Sequence, residues 1–168
     1  MPLRLIVMRH AKSSWDDPLL DDYDRVLNAR GRRNAQAVGM WLRDAGYAPD
    51  QVLFSAAART TETCDLVCEA GGFQAERTRS RRLYHASAET ILEHVRRATG
   101  DAVMVIGHNP GIADFAARFA VALSTSPDFA RYPTAATTVF DVVGDRWEAV
   151  GFGKSTIIDF TIPASLQT

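Results

Sequence analysis

Short hydrophobic runs alternate along the chain with longer stretches in which hydrophobic residues recur every three or four positions. Residues 3–8 (LRLIVM) have the length and composition of a buried strand, and residues 28–46 show helical spacing between an Asn28 cap and a Gly46 stop. The same alternation continues with predicted strands at 51–54 and 102–107 and predicted helices at 58–72, 86–100 and 111–123.

The pattern changes after residue 134. Residues 134–143 and 146–152 alternate hydrophobic and polar positions around Gly144-Asp145, which predicts a C-terminal hairpin. Strands that alternate with helices form parallel sheets covered on both faces. The sequence therefore predicts an α/β fold of three layers, αβα, with a mainly parallel sheet and the hairpin at its edge.

Composition narrows the possible partners. The 168 residues are 46% hydrophobic and 23% charged, which predicts one globular domain over residues 1–168. A net charge of −1 gives no broad field to hold a nucleic acid, so anion binding requires a local cluster. Because we find neither a secretory leader nor an apolar run of about 18 residues, we expect a cytoplasmic protein without membrane partners.

Cys64 and Cys68 are spaced four residues apart in a predicted helix. This spacing is typical neither of a redox-active C-x-x-C motif nor of a zinc ribbon. We therefore expect two half-buried thiols without a metal.

Titratable and cationic side chains follow three of the predicted strands. Arg9 and His10 come directly after the first strand, Arg59 follows the second, and His108 and Asn109 follow the strand at 102–107. Ligands bind beyond the carboxyl ends of strands in such sheets. The sequence thus brings two histidines and two arginines to one rim.

This set of residues suits phosphoryl transfer. Guanidinium groups bind phosphate oxygens in a bidentate manner, and a neutral imidazole is a competent nucleophile toward phosphorus. A second imidazole, if protonated, would stabilise charge on the equatorial oxygens. A lone arginine is usually a solvated charge, and a lone histidine is usually structural, so the interpretation depends on their coincidence at three strand ends. The chemistry requires no metal and no cofactor.

Four sequence blocks resemble the histidine phosphatase superfamily in their order along the chain. RHAKSSWD is similar to its R-H-G-x-S/T-x-W-N opening, and LNARGRRNA, SAAARTTET and VIGHNPG resemble the later blocks. The resemblance implies a phosphoglycerate-mutase-like fold in which His10 is phosphorylated and Arg9, Arg59 and His108 complete the pocket. It also places Ser13 at a phosphate-contacting position, and we assign Asn109 to phosphate binding with it.

The short length and the segments RHAKSSW and RRLYHAS look most like the SixA-type phosphohistidine phosphatases. That resemblance implies hydrolysis of phosphohistidine or a related phosphate monoester. The substrate would be a phosphorylated protein or a small phosphorylated molecule. We expect the loop at residues 15–25 and the arginine-rich strand at 76–83 to contribute much of the specificity.

The sequence departs most from the family's pattern at the position of the general acid. The resemblance puts His85 where mutases and acid phosphatases have a carboxylic acid, so the candidates are His85, Asp16 and Asp17, while Glu89 is interpreted as a solvated residue. An alkoxide leaves poorly without a proton donor, which contributes roughly 10²–10⁴-fold, whereas an imidazole leaves more easily. A missing acid therefore favours phosphoramidates.

Three other functions are compatible with the residues. One is a general small-molecule phosphomonoesterase of the same family, and another is a non-catalytic phosphate-binding module. A metal-dependent hydrolase could use His10, His85 and His108 with Asp16 or Asp17. However, the usual metal-ligand spacings are missing, and two nearby guanidinium groups oppose a cation.

Overall fold

The computed structural model describes residues 2–166 and contains, within them, one six-stranded sheet with helices on both faces. The strands are β1 (Leu3–Arg9), β2 (Gln51–Ser55), β3 (Glu76–Ser80), β4 (Ala102–Gly107), β5 (Thr137–Val142) and β6 (Thr156–Thr161). The helices are α1 (Ala29–Asp44), α2 (Ala58–Gly71), α3 (Ala88–Arg96), α4 (Gly111–Phe119) and the short α5 (Asp128–Arg131) and α6 (Pro163–Leu166).

The sheet is mainly parallel, as predicted. Its order is β3-β2-β4-β1-β5-β6, in which β1, β2, β3 and β4 run parallel and β5 and β6 add an antiparallel pair at one edge. The carboxyl ends of β1, β2 and β4 consequently meet at one rim of the sheet.

Side chains of β1 alternate between two hydrophobic cores. Leu5 and Val7 pack with α3 and α4, whereas Ile6 and Met8 pack with α1 and α2. All four are fully buried, and burial of each such side chain contributes about 1.5–3 kcal/mol. These two cores hold the central strands, and hence their carboxyl ends, rigidly in place.

The predicted hairpin is wrong in its second strand. β5 pairs with β6 at Thr156–Thr161, whereas residues 147–149 form a single 3-10 turn. Trp147 is buried, and its indole N–H donates to the carbonyl oxygen of Gly100 at 2.6 Å. The alternation of residues 146–152 therefore reflects side chains that cover the end of a core, not a paired strand.

Two further features concern the predicted thiols and membrane segments. Cys64 and Cys68 are free and completely buried on α2, so the prediction of half-buried thiols was wrong. Over residues 2–166, every helix is either too short or too polar to cross a membrane.

Candidate active site

A cavity of about 280 Å³ opens at the carboxyl ends of the central strands. The loop after β1 is fixed there because the His10 amide donates to Gly107 at the end of β4, at 3.0 Å, and Ala135 donates back to His10, at 2.9 Å. The cavity, which we call the phosphate pocket, is lined by Arg9, His10, Lys12, Ser13, Trp15, Asp22, Arg25, Arg59, His85, His108, Asn109 and Thr134.

His10 is held in one tautomer. Its Nδ1–H donates to the carbonyl oxygen of Ala11 at 2.6 Å, which leaves Nε2 with a free electron pair that accepts from Arg59 Nε at 3.4 Å. Burial, together with the charges of Arg59 and Arg9, lowers the pKa of His10 to about 3. The imidazole is therefore neutral at physiological pH, as a nucleophile requires.

His108 lies beside it, with 5.2 Å between the two ring centroids. Burial and the neighbouring His10 and Arg59 lower the pKa of His108 to about 2, so its imidazole is neutral here. Nε2 lies 2.8 Å from Ser55 Oγ, whose hydroxyl can donate to it, and Nδ1 is buried without a hydrogen-bond partner among the described residues. In the tautomer in which Nε2 accepts from Ser55, the ring hydrogen is on Nδ1.

Arg59 and Arg9 bring two guanidinium groups to the pocket. Arg59, in the first turn of α2, is 2% exposed, and its two terminal nitrogens donate to Asp22 O at 2.6 Å and Asp22 Oδ2 at 2.9 Å. Arg9 donates to Tyr132 O at 3.2 Å, while its Nε is buried without a partner among the described residues. Burial and the proximity of Arg59 lower the pKa of Arg9, which indicates a pocket with excess positive charge.

Asp22 is the central residue that the sequence reasoning missed. Its Oδ2 accepts from Tyr84 at 2.5 Å, Arg59 at 2.9 Å and His85 at 3.1 Å, and its Oδ1 lies 3.2 Å from Arg25. Partial burial alone would raise the pKa of Asp22, but hydrogen bonds from Tyr84, Arg59 and His85 outweigh it and hold the pKa well below its usual value. Asp22 is thus a carboxylate.

The three candidates for the general acid lie in different environments. His85 lines the pocket next to Tyr84 and His108, with ring centroids 4.1 and 5.1 Å away, and its backbone has a positive φ of 51°. Asp16 and Asp17 are exposed and do not line it. Glu89 is exposed and pairs with an arginine on α4, as its interpretation as a solvated residue requires.

Ser13 and Asn109 complete the set predicted from the sequence. Ser13 is 7% exposed and lines the pocket. Asn109 donates from Nδ2 to the carbonyl oxygen of Tyr132 at 3.0 Å, and its Oδ1 is buried without a partner among the described residues. Its amide thus joins the loop after β4 to residue 132.

The loop at residues 15–25 contributes a second wall. Trp15 is 74% exposed, and the Arg25 guanidinium lies 3.5 Å from the centroid of its ring. Arg25 is 8% exposed and pairs with Asp22. The sequence signalled Trp15 through the RHAKSSWD block, whereas for Asp22 and Arg25 it gave only the expectation that this loop contributes to specificity.

The chain resembles proteins of one family. A sequence model of the histidine phosphatase superfamily, branch 1, matches residues 5–84. An uncharacterized protein of Mycobacterium tuberculosis is 35% identical over 164 residues, which cover 93% of this chain and 99% of that protein.

Two solved structures of proteins proposed to be the phosphohistidine phosphatase SixA superpose over most of the chain. The protein from Nakamurella multipartitia has a TM-score of 0.82 and 28% identity, with 97% of both chains covered. The protein from Agrobacterium tumefaciens has a TM-score of 0.79 and 27% identity, with 97% of this chain and 99% of that chain covered.

Proposed function

Because the chain belongs to the histidine phosphatase superfamily, we propose that it hydrolyses phosphohistidine through an intermediate phosphorylated at His10. Its phosphoglycerate-mutase-like α/β fold confirms the fold class predicted from the sequence. The likeness to two proteins proposed to be SixA supports phosphohistidine as the substrate class.

The observation that carries the substrate proposal is the set of hydrogen bonds that Asp22 accepts from Tyr84, Arg59 and His85. Asp22 is the one carboxylate among the described residues that line the phosphate pocket, and its hydrogen bonds keep its pKa low. A carboxylate that is already ionised has no proton to give to a leaving alkoxide. Such a donor contributes roughly 10²–10⁴-fold for poor leaving groups, whereas an imidazole departs without much help.

In the first step, the phosphoryl oxygens bind to the guanidinium groups of Arg9 and Arg59, and Nε2 of His10 attacks phosphorus. The bond between phosphorus and the substrate imidazole breaks. The substrate nitrogen leaves with the bonding electron pair and takes a proton from water. His108 lines the pocket with its ring centroid 5.2 Å from that of His10, so its imidazole is placed to support the phosphoryl group in the transition state.

In the second step, water attacks the phosphoryl group on His10. The bond between phosphorus and Nε2 breaks, Nε2 recovers its electron pair, and inorganic phosphate departs with the oxygen of the water. The proton lost by that water goes to phosphate or solvent. Hydrolysis is favoured over transfer because the outer wall is open: the side chains of His85 and Asp22 are 50% and 43% exposed.

One observation favours the phosphomonoesterase alternative. Tyr84 and His85 both hydrogen-bond to Asp22 at the mouth of the pocket, so either could pass a proton to an ester oxygen. No comparable feature supports the metal-dependent alternative. Within residues 2–166, no three His, Cys, Asp or Glu side chains are arranged to hold a metal ion.

The deciding experiment compares a phosphohistidine peptide with a panel of alkyl and aryl phosphate monoesters by phosphate release. We expect kcat/KM for phosphohistidine to exceed that for alkyl esters by about 100-fold or more, the lower limit of the missing acid's effect. The His10→Ala protein, purified in the same way, measures contaminating phosphatase. Equal or faster turnover of alkyl esters would contradict the proposal and favour the monoesterase.

A further inference from the structure

A second cavity, of about 210 Å³, adjoins the phosphate pocket. The two cavities share Lys12 and Thr134 in their walls, so they are neighbouring compartments of one surface. The second is closed on its far side by Arg30 of α1, by Arg131 at the end of α5 and by the beginning of α6.

The second cavity is positively charged. No carboxylate lines it among the described residues. Arg131 is paired with Asp128 at 2.5 Å, but Lys12 and Arg30 form no ion pair or hydrogen bond through their side chains with any described residue. Lys12 and Arg30 thus face one compartment without a compensating negative charge from residues 2–166.

The position of Arg30 is unfavourable for helix stability. The first five residues of α1 include no acidic residue and three arginines, Arg30, Arg32 and Arg33, although a helix N-terminus favours negative charge. Arg32 is paired with Glu62 at 2.6 Å, whereas Arg30 and Arg33 form no such pair among the described residues. Positive charge at a helix N-terminus, where it is unfavourable, is expected where function requires it, and Arg30 lies beside a candidate site.

Gly31 explains why Arg30 lies next to Lys12. The backbone of Lys12 approaches Gly31 so closely that no Cβ would fit there, and the Asn28 amide donates to the Lys12 carbonyl oxygen at 3.1 Å. The start of α1 is therefore fixed against the loop that carries His10. Backbone contacts therefore fix the distance between the two compartments.

We propose that the second cavity binds a second anionic group of the same substrate, a carboxylate or a phosphate next to the phosphoryl group that is transferred. This inference rests on the proposed function, because it assumes that the first phosphoryl group lies on Arg9, Arg59 and His10. Lys12, in both walls, contacts both anionic groups, and Arg30 contacts the second one. A phosphohistidine next to an acidic residue, or a compound with two phosphoryl groups, has this chemistry.

The first test uses two phosphohistidine peptides that differ only in a glutamate or a glutamine beside the phosphohistidine. We expect wild-type kcat/KM to be about ten-fold or more higher for the glutamate peptide, the scale of one charged hydrogen bond. In Arg30→Gln that ratio falls toward one. Arg33→Gln is the matched control, because Arg33 is exposed on the same helical turn, lines neither cavity and removes the same charge.

The second test does not need turnover. Calorimetric titration compares pyrophosphate with inorganic phosphate, and we expect the wild type and Arg33→Gln to bind pyrophosphate about ten-fold or more tightly. Arg30→Gln should lose most of that preference. If only the glutamate peptide is preferred, the group bound in the second cavity is a carboxylate. If only pyrophosphate is preferred, that group is a phosphate.

Equal ratios in Arg30→Gln and Arg33→Gln, in both tests, would overturn the second site. If no phosphohistidine peptide is hydrolysed but the pyrophosphate preference depends on Arg30, the proposed function fails and the second site stands. If peptides are hydrolysed at the same rate whatever the neighbouring charge, and pyrophosphate binds no better than phosphate, the proposed function stands and the second site fails.

Discussion

The two walls of the phosphate pocket are built in different ways. The strand-end wall carries His10, Arg59 and His108, which are 5%, 2% and 2% exposed. The loop wall carries Trp15, which is 74% exposed, and Asp22, whose side chain is 43% exposed. Burial keeps the imidazoles of the first wall neutral, whereas the second wall supplies the negative charge that compensates two arginines.

This difference suggests a division of labour. A nucleophile must be held in one tautomer and one position, which rigid strand ends provide through the bonds of His10 to Ala11 and Gly107. Loop residues tolerate change because they lie on the surface. We therefore expect substitutions on the strand-end wall to abolish chemistry and those on the loop wall to adjust it.

The largest expected effect is that of His10→Ala. Loss of the proposed nucleophile should lower kcat by at least about 10³-fold and abolish the covalent intermediate. Rapid quenching of the wild type with labelled substrate should give an acid-labile, base-stable adduct at His10. His85→Ala, on the solvent side of the same pocket, should retain that adduct. A fully active His10→Ala protein would refute the assignment.

A smaller effect is expected when the guanidinium groups of the pocket are replaced by the ammonium group of lysine. Arg59→Lys and Arg9→Lys keep the charge but lose bidentate geometry, which should cost about 1.5–3 kcal/mol each in the binding of inorganic phosphate or vanadate. Arg25→Lys is the control on the loop wall and should cost less. Inhibition constants that are the same in all three variants and the wild type would place the phosphate elsewhere.

The buried imidazoles should also make stability depend on pH. Their pKa values of about 3 and about 2 lie below the ordinary value of 6.5, so between those limits the unfolded chain binds protons that the folded chain excludes. The free energy of unfolding then falls as the pH drops below 6.5, by up to about 2 kcal/mol per imidazole between pH 7 and pH 5.

Urea unfolding at pH 7 and pH 5 measures this dependence. His10→Ala and His108→Ala should each flatten it, because each removes one group that the unfolded state protonates. If the wild type is equally stable at both pH values, the pKa values of His10 and His108 are not lowered by burial.

The smallest expected effect is on the dependence of rate on leaving-group pKa. We expect a steep dependence in the wild type, and the same slope in His85→Ala, Asp16→Asn and Asp17→Asn, because none of them is expected to donate a proton. Asp22→Asn should keep the slope too, since its carboxylate is ionised. A shallow wild-type slope that becomes steep in one variant would identify the acid.

The strand-end wall could be predicted from the sequence and the loop wall could not. Hydrophobic runs locate β1, β2 and β4, and a parallel sheet necessarily brings the residues that follow them together, as with His10, Arg59 and His108. Asp22 and Arg25 belong to a loop without periodicity, whose path depends on tertiary contacts. The same limit explains the hairpin, where the alternation around Trp147 arises from burial without strand pairing.

The stacking of Arg25 on Trp15 has a spectroscopic consequence. Of the three tryptophans in the chain, Trp147 is buried in the core and Trp41 lies on α1 beside Tyr47, so only Trp15 lines the pocket. The Arg25 guanidinium, 3.5 Å from the ring centroid, is attracted to the face of this indole. We expect an anion that draws Arg25 away to change the emission of Trp15. Trp15 emission should therefore report ligand binding in the pocket, and the Trp15→Phe protein is the control that lacks this signal.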